Sequence, residues 1–469
     1  MQYFKRDINL FIAIILFIIL SVSYVLVIPV FEAPDENYHL LNSFYISKYN
    51  KIYFTYNEPI PRSQYVKDRI DEDQNPVFYT DEKYAFVKKD YCEVYKALSP
   101  GYHPPLYYLI SSQIIRPFGA DNIYAEFNSG DSGTADDDDY YNRFINNKIL
   151  KDRSPTIALV LILRLLQIVF GVLVIIFIFK IIRLLSNNKF EKKSIFLISS
   201  IAFLPQFIFL CSYVNNDLLS GLFGLISIYF IILLFKKEKI YLGMISILFA
   251  IIATFTKYTL LVMIPLIVIA FFVWLIIKKK KKIIIGSITV LLLTISAFYY
   301  IKIFQSSFYL YNRIINAGNR FIANFKDIFY FDMERFTQTL KSSIAVFGWM
   351  NIFADNFIYY FFAAYIASGI LLFFTNIREY RKSRKSIIFI IVSIISIFTF
   401  FLLYAINTGW AQHQGRIMLT GIFLVFILSI LGYQTIKIKY RNILYYILFS
   451  CSFFISVFCL YNYIYLKYY

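Results

Sequence analysis

Apolar runs of roughly twenty residues recur along this chain, and basic clusters fill several of the gaps between them. A helix of that length covers the ~30 Å of hydrocarbon in a bilayer. Several of the runs reach that length, so they are read as transmembrane helices. Hydrophobic residues make up 59% of the sequence, with 51 Phe and 41 Tyr, well above the usage of soluble domains. The fold class expected is an all-α polytopic membrane protein.

The net charge of +18 invites a nucleic-acid reading, but its distribution argues against one. Basic residues collect at Lys236 to Lys239, Lys278 to Lys282 and Arg378 to Lys385, all in short gaps beside spans. That is the positive-inside pattern and contact with anionic lipid, so membrane lipids are expected as partners and nucleic acid is not. Cys92, Cys211, Cys451 and Cys459 show no CxxC spacing and imply neither a disulfide framework nor a zinc site. Lys5 and Arg6 precede the first run, which lacks an A-x-A cleavage site and reads as an uncleaved signal anchor. The N-terminus is therefore expected in the cytoplasm. The abundance of Ile, Lys, Asn and Tyr suggests an AT-rich bacterial genome, and with it a bacterial cytoplasmic membrane.

Eleven spans satisfy the basic clusters: Ile8–Val30, Thr156–Phe179, Ser194–Val214, Leu218–Phe235, Ile240–Thr256, Tyr258–Ile277, Ile283–Phe304, Asn356–Thr375, Ser386–Ile406, Ile417–Ile436 and Leu444–Leu466. The organisation is then a first transmembrane helix in 1–30 and an extracytoplasmic loop in 31–155. Helices 2–7 occupy 156–304, a second extracytoplasmic segment 305–355, and helices 8–11 lie in 356–469. Glu32 to Arg153 holds 20 of the 29 acids against 14 Lys and Arg, as suits a loop on the outer side. Within it, Pro104 to Phe118 is apolar but short. A crossing there would reverse every later basic loop, so it is expected as an interfacial or re-entrant juxtamembrane helix. The acidic run Asp136 to Asp139 reads as a solvated loop, because it lacks the spacing and Gly turn of a calcium loop.

Under this topology the unusual polar residues gather at one face. Asp35, Glu36 and His39 follow span 1, and His103 precedes the interfacial segment. Asn215, Asn216 and Asp217 join spans 3 and 4, Lys257 and Tyr258 join spans 5 and 6, and His413, Gln414 and Arg416 precede span 10. Ionisable groups at membrane depth tend to be functional. Asp217 taken alone could cap a helix, Lys257 alone could snorkel, and Arg164 in span 2 could line a polar cavity or make a structural pair. Taken together, the set suits transfer from a lipid phosphate. A carboxylate can accept the acceptor's proton, and Arg416 and Lys257, with Gln414 and His413, can hold the phosphate. His39, His103, Tyr258, Asn216 and Asp217 are candidate substrate contacts. A divalent metal (Mg2+, Mn2+ or Ca2+) could share the phosphate on Asp35, Glu36 and His39. No organic cofactor is expected.

The motifs APDENYH (Ala33 to His39), HPPLYY (His103 to Tyr108), LPQ through NND (Leu204 to Asp217), TKYT (Thr256 to Thr259), FGWMN (Phe347 to Asn351) and QGR (Gln414 to Arg416) give a family resemblance. The chain resembles GT-C superfamily membrane glycosyltransferases, and in particular a bacterial multi-pass branch related to protein O-mannosyltransferases and lipid A aminoarabinose transferases. The resemblance implies a polyprenyl-phosphate-linked sugar donor, an extracytoplasmic glycan or lipid acceptor, and inverting transfer. It also implies Asp35 as base or metal ligand supported by Glu36, and Arg416 at the donor phosphate; metal dependence stays open. After QGR such proteins often carry Tyr and then Pro, where this chain has Ile417 and Thr420. A polyprenyl-linked glycan polymerase is the nearest enzyme alternative. A transporter or flippase would spread its polar residues through the membrane depth, often over internal repeats, and none is visible here.

Overall fold

The computed structural model describes residues 8–50, 104–118, 154–186, 196–279, 332–407, 414–436 and 438–469. The expected span Ile283 to Phe304, the run Asp136 to Asp139, His103 and His413 lie outside the described residues.

The described chain is helical apart from one short hairpin. In order it forms α1 (Ile8–Val27), α2 (Glu36–Tyr49), α3 (Leu106–Ile115), α4 (Ser154–Leu185), α5 (Ser199–Ala202), α6 (Pro205–Leu210), α7 (Asp217–Lys237), α8 (Ile240–Thr256) and α9 (Met263–Ile277). Next come α10 (Met333–Ser342), the antiparallel pair β1 (Val346–Phe347) and β2 (Ile352–Phe353), α11 (Asn356–Thr375), α12 (Arg384–Asn407), α13 (Leu419–Tyr433) and α14 (Ile438–Cys459). Among the described residues, eight helical stretches are long and apolar enough to cross a membrane, and α8 is a shorter apolar helix of 17 residues. The chain is thus an all-α polytopic membrane protein.

At the centre lie α7 and α13, the two most enclosed spans. The α7 helix packs against α4, α8, α9 and α13, while α13 also packs on α11 and α12. The α11–α13 contact depends on small residues. A Cβ on Gly432 would collide with the carbonyl oxygen of Gly369, and a Cβ on Gly369 would come within 2.7 Å of the Ser429 carbonyl. Lipid supplies little hydrophobic drive between helices, so close backbone approach and interhelical hydrogen bonds hold such a pair. Ser429 and Tyr433 both donate to the Tyr365 carbonyl, each at 3.1 Å.

The third expected span is not one helix. Between Phe196 and Val214 the backbone makes two short helices, α5 and α6, with Leu204 extended between them (ψ 120°). Leu204 precedes Pro205, whose ring disfavours the α region for the residue before it, and Pro205 then starts α6. The segment still travels alongside α14. Phe196 packs on Phe449, Phe203 on Phe453, and Ser456 donates to the Phe203 carbonyl at 2.5 Å. Broken backbone is tolerated at membrane depth where protein encloses it, and residues 196–214 are buried throughout. Gln206 replaces some of the missing helical bonds: its N–H donates to Ile344 and its Oε1 accepts from Val346 N–H, both at 2.8 Å.

The apolar segment after His103 forms α3, only ten residues and about 15 Å long, half of a hydrocarbon core. It lies against α2 rather than crossing alone. Tyr107 and Tyr108 are buried, and Ser43 Oγ meets Ser111 Oγ at 2.5 Å between the two helices.

Candidate active site

The turn between α1 and α2 carries the first half of the site. Its backbone is strained: Phe31 (φ 69°) and Asp35 (φ 61°) both sit in the left-handed region. For non-glycine residues this costs of order 1–3 kcal/mol each and persists only where the surroundings enforce it. Glu36 supplies that enforcement. Its Oε2 accepts from Phe31 N–H at 2.9 Å, and its Oε1 accepts from Val214 N–H at 2.9 Å. Arg164, on α4, meets the same carboxylate with two parallel bonds, Nε to Oε1 at 2.8 Å and Nη2 to Oε2 at 2.6 Å. The guanidinium also donates to the carbonyls of Val25 (3.2 Å), Ile28 (2.6 Å) and Pro29 (2.9 Å) at the end of α1. Both side chains are fully buried. Arg164 thus makes a structural pair rather than lining an open cavity. Glu36, expected as a second catalytic carboxylate, has both oxygens engaged and no exposed surface.

The loop after α6 carries the second half. Asn215 organises it, donating to the carbonyls of Leu210 and Tyr213 at 2.7 and 2.8 Å, while its Oδ1 accepts from Leu218 N–H at 3.1 Å. Asn215, one residue before the N-cap Asn216, therefore serves a free N–H of the first turn of α7, a task the Asp217 carboxylate is spared. Gln167 on α4 joins this loop to α3, donating to the Asn215 carbonyl and to Tyr107 Oη, both at 2.8 Å. Asn216 donates to the Thr256 carbonyl at 3.2 Å and so ties the loop to the end of α8.

Gly415 and Arg416 open a 3-10 turn that leads into α13. A Cβ on Gly415 would reach 2.6 Å from Ser343 N, so only glycine allows this approach to the end of α10. Its own N–H donates to Ser342 Oγ at 2.7 Å. The neighbouring Arg416 side chain reaches the first two loops. Its Nε donates to Gln414 Oε1 at 2.6 Å, its Nη1 to Tyr213 Oη at 3.3 Å and to the Pro34 carbonyl at 3.5 Å, and its Nη2 to Asp35 Oδ2. Nη1 also lies 3.7 Å from Asp217 Oδ2, while Asp217 Oδ1 accepts from Lys257 Nζ.

Asp35, Asp217, Lys257 and Arg416 thereby converge from four separate parts of the chain. Asp35 is the open member, 42% exposed, against 5% for Arg416 and 1% for Asp217. Lys257 sits in an extended residue between α8 and the turn Tyr258–Leu260. Burial pushes its ammonium below the ordinary lysine value of 10.5, and Asp217 opposes that shift. Instead of snorkelling away, Lys257 turns toward the carboxylates. His39 stacks on Tyr108 (5.9 Å between centroids), bonds its Oη through Nδ1 at 2.9 Å, and lies near enough to act on the charge of Asp217. Tyr258 is half-buried beside Lys257.

Sequence reasoning missed Asn215 as a cap, Gln167, Tyr213 and the hairpin motif Phe347 to Asn351 as parts of the site. The hairpin leans on the strained turn: Trp349 Nε1 donates to the Phe31 carbonyl at 3.2 Å, and Phe347 packs on Phe209. The signal for the hairpin was its FGWMN motif, with Gly348 (φ 60°) and Met350 (φ 71°) in the left-handed region. Gln167 gave no signal beyond being a polar residue inside a span.

Glu36, one of the three expected metal ligands, is taken up by Arg164 and two backbone N–H groups. Among the described residues no group of three or more His, Cys, Asp or Glu side chains is placed to hold a metal ion, so the ligand set of Asp35, Glu36 and His39 does not fit.

Residues 159–300 match the family model described as dolichyl-phosphate-mannose-protein mannosyltransferase. Over that segment, under a third of the chain, the protein is similar to this family of GT-C-type membrane glycosyltransferases. The matched segment contains Arg164, Asp217 and Lys257; Asp35 and Arg416 lie on either side of it and reach it only through the fold. The family implies in general a polyprenyl-phosphate sugar donor and a glycan or protein acceptor. No curated protein and no solved structure matches the chain.

Proposed function

We propose that the protein moves a sugar from a polyprenyl-phosphate-linked donor to a glycan or lipid acceptor on the extracytoplasmic side of a bacterial cytoplasmic membrane, with inversion at the anomeric carbon. The observation that carries this reading is the placement of Arg416 against Asp35 and Asp217, with Lys257 on Asp217. Two cations can hold the leaving phosphate as charge develops on it. Asp35, the exposed carboxylate beside them, can take the acceptor hydroxyl's proton as that oxygen attacks the anomeric carbon. The bond from that carbon to the phosphate oxygen breaks, and the pair of electrons leaves with the phosphate. Asp217 orients Lys257 and balances the charge of Arg416. Glu36 and Arg164 hold the turn that aims Asp35 and touch no reacting group. No step is assigned to a metal.

Transfer from radiolabelled polyprenyl-phosphate sugars by the purified chain in nanodiscs tests the reading. Activity with a monosaccharide on a monophosphate carrier, lost in Asp35→Asn with insertion intact, is the expected result. Activity only with an oligosaccharide on a diphosphate carrier would move the assignment to a polymerase. Full activity in Asp35→Asn would remove that residue from the mechanism.

A further inference from the structure

We propose that Arg416 is a shared anion site. Asp35 occupies one edge of its guanidinium in this structure, and a lipid phosphate takes that edge on binding and releases Asp35 to the acceptor. The proposal rests on the assignment above of Arg416 to the phosphate and Asp35 to the base.

Three observations carry it. First, the two roles compete for one contact. The lone pair of Asp35 Oδ2 that accepts from Arg416 Nη2 cannot also take an acceptor hydroxyl's proton, and the N–H that donates to it cannot also donate to phosphate. The remaining directions of Arg416 face Gln414, Tyr213, the Pro34 carbonyl and Asp217. Asp217 and Tyr213 are enclosed, whereas Asp35 is 42% exposed, so an anion arriving from the open side meets the Asp35 edge.

Second, the cluster is formally neutral: Arg416 and Lys257 stand against Asp35 and Asp217. A phosphate entering it unchanged would leave an excess of negative charge in a poorly solvated place. Exchanging Asp35 for phosphate on Arg416 leaves the buried guanidinium paired throughout. Asp217 cannot make the exchange as readily, since it is enclosed and bonded to Lys257.

Third, the exchange needs no backbone motion. Glu36 closes the turn around Asp35 by accepting from Phe31 N–H, ties it to the loop after α6 by accepting from Val214 N–H, and is itself held by Arg164. Asp35 changes partner by rotating its own short side chain about a held backbone. Donor binding then prepares the base, and Asp35 stays paired with Arg416 until a phosphate arrives.

The test measures binding of farnesyl phosphate to the purified full chain in detergent, alongside transfer. Asp35→Asn is expected to bind about tenfold more tightly than the wild type while losing transfer. Asp35→Ala, which offers Arg416 no side-chain acceptor, is expected to do the same. Asp332→Asn removes a carboxylate elsewhere and should leave binding unchanged. The gain should survive about 0.5 M salt, where a through-space effect of an exposed charge is screened away. Equal or weaker binding by both Asp35 variants, or a gain that vanishes in salt, overturns the shared site and leaves the proposed activity standing if transfer is lost. Tighter binding with full transfer keeps the shared site and sinks Asp35 as the base.

Discussion

Two neighbouring carboxylates of this chain meet two different arginines, and the two pairs have little else in common. Glu36 and Arg164 are fully buried, joined by parallel bonds, and every remaining bond of the pair goes to backbone. Asp35 and Arg416 meet through one oxygen and one nitrogen, and the carboxylate is 42% exposed. A buried pair whose valences are filled behaves as a fastener: losing one partner strands a charge. An open pair with a single contact can change partners. The comparison separates the acid that holds the site from the acid proposed to work in it, although the two are adjacent in sequence.

The largest effect should come from breaking the enclosed pair. Arg164→Gln strands Glu36, and removing one member of a buried pair costs about 3–5 kcal/mol. The expected outcome is loss of the folded monomer, measured by size exclusion and thermal unfolding in detergent. A stable Arg164→Gln protein with normal transfer would erase the distinction between the pairs. Next comes Asp35→Asn, for which transfer should fall by about 10²–10⁴-fold, the usual span for a general base, with an unchanged melting temperature. A large drop in melting temperature would make Asp35 a second fastener.

Arg416→Lys keeps the charge and loses the planar fork. Its expected result is a donor KM raised about tenfold with a smaller change in kcat, because several directed bonds become one point charge. The smallest effect concerns pH. Lys257 is charged only below its pKa, which burial sets under 10.5, so donor binding should weaken as pH rises through that lowered value. Lys257→Arg should extend binding to higher pH. An unchanged alkaline limb would separate Lys257 from phosphate binding.

Much of the architecture was legible in the apolar runs, because crossing a bilayer demands length and continuity that any sequence must display. Ile8–Val27, Asn356–Thr375 and Tyr258–Ile277 need no tertiary information to be recognised. The interval from Phe196 to Val214 was not legible as a broken path. Its composition is as apolar as a continuous helix, and only Leu204–Pro205 hinted at the break. What allows it is the enclosure by α14 and the Gln206 bonds to residues 344 and 346, which lie far away in sequence. The site was half legible. Asp217, Lys257 and Arg416 stood out because charge at membrane depth is costly; Asn215 showed only as a member of that polar set and not as a cap, and Gln167 did not show, since neutral amides are common and their value lies in their partners.

By itself the sequence determined that this chain is a helical membrane protein and which charged residues needed an explanation. Hydrocarbon exacts a free-energy penalty that composition must meet locally, and that penalty is visible one segment at a time. The tertiary structure alone decided how the surroundings of Asp35 and Glu36 differ. Two adjacent carboxylates are chemically near-identical. Their difference comes from a left-handed backbone at Asp35 that points them in different directions, one toward Arg164 in the closed interior and the other toward Arg416 at the opening.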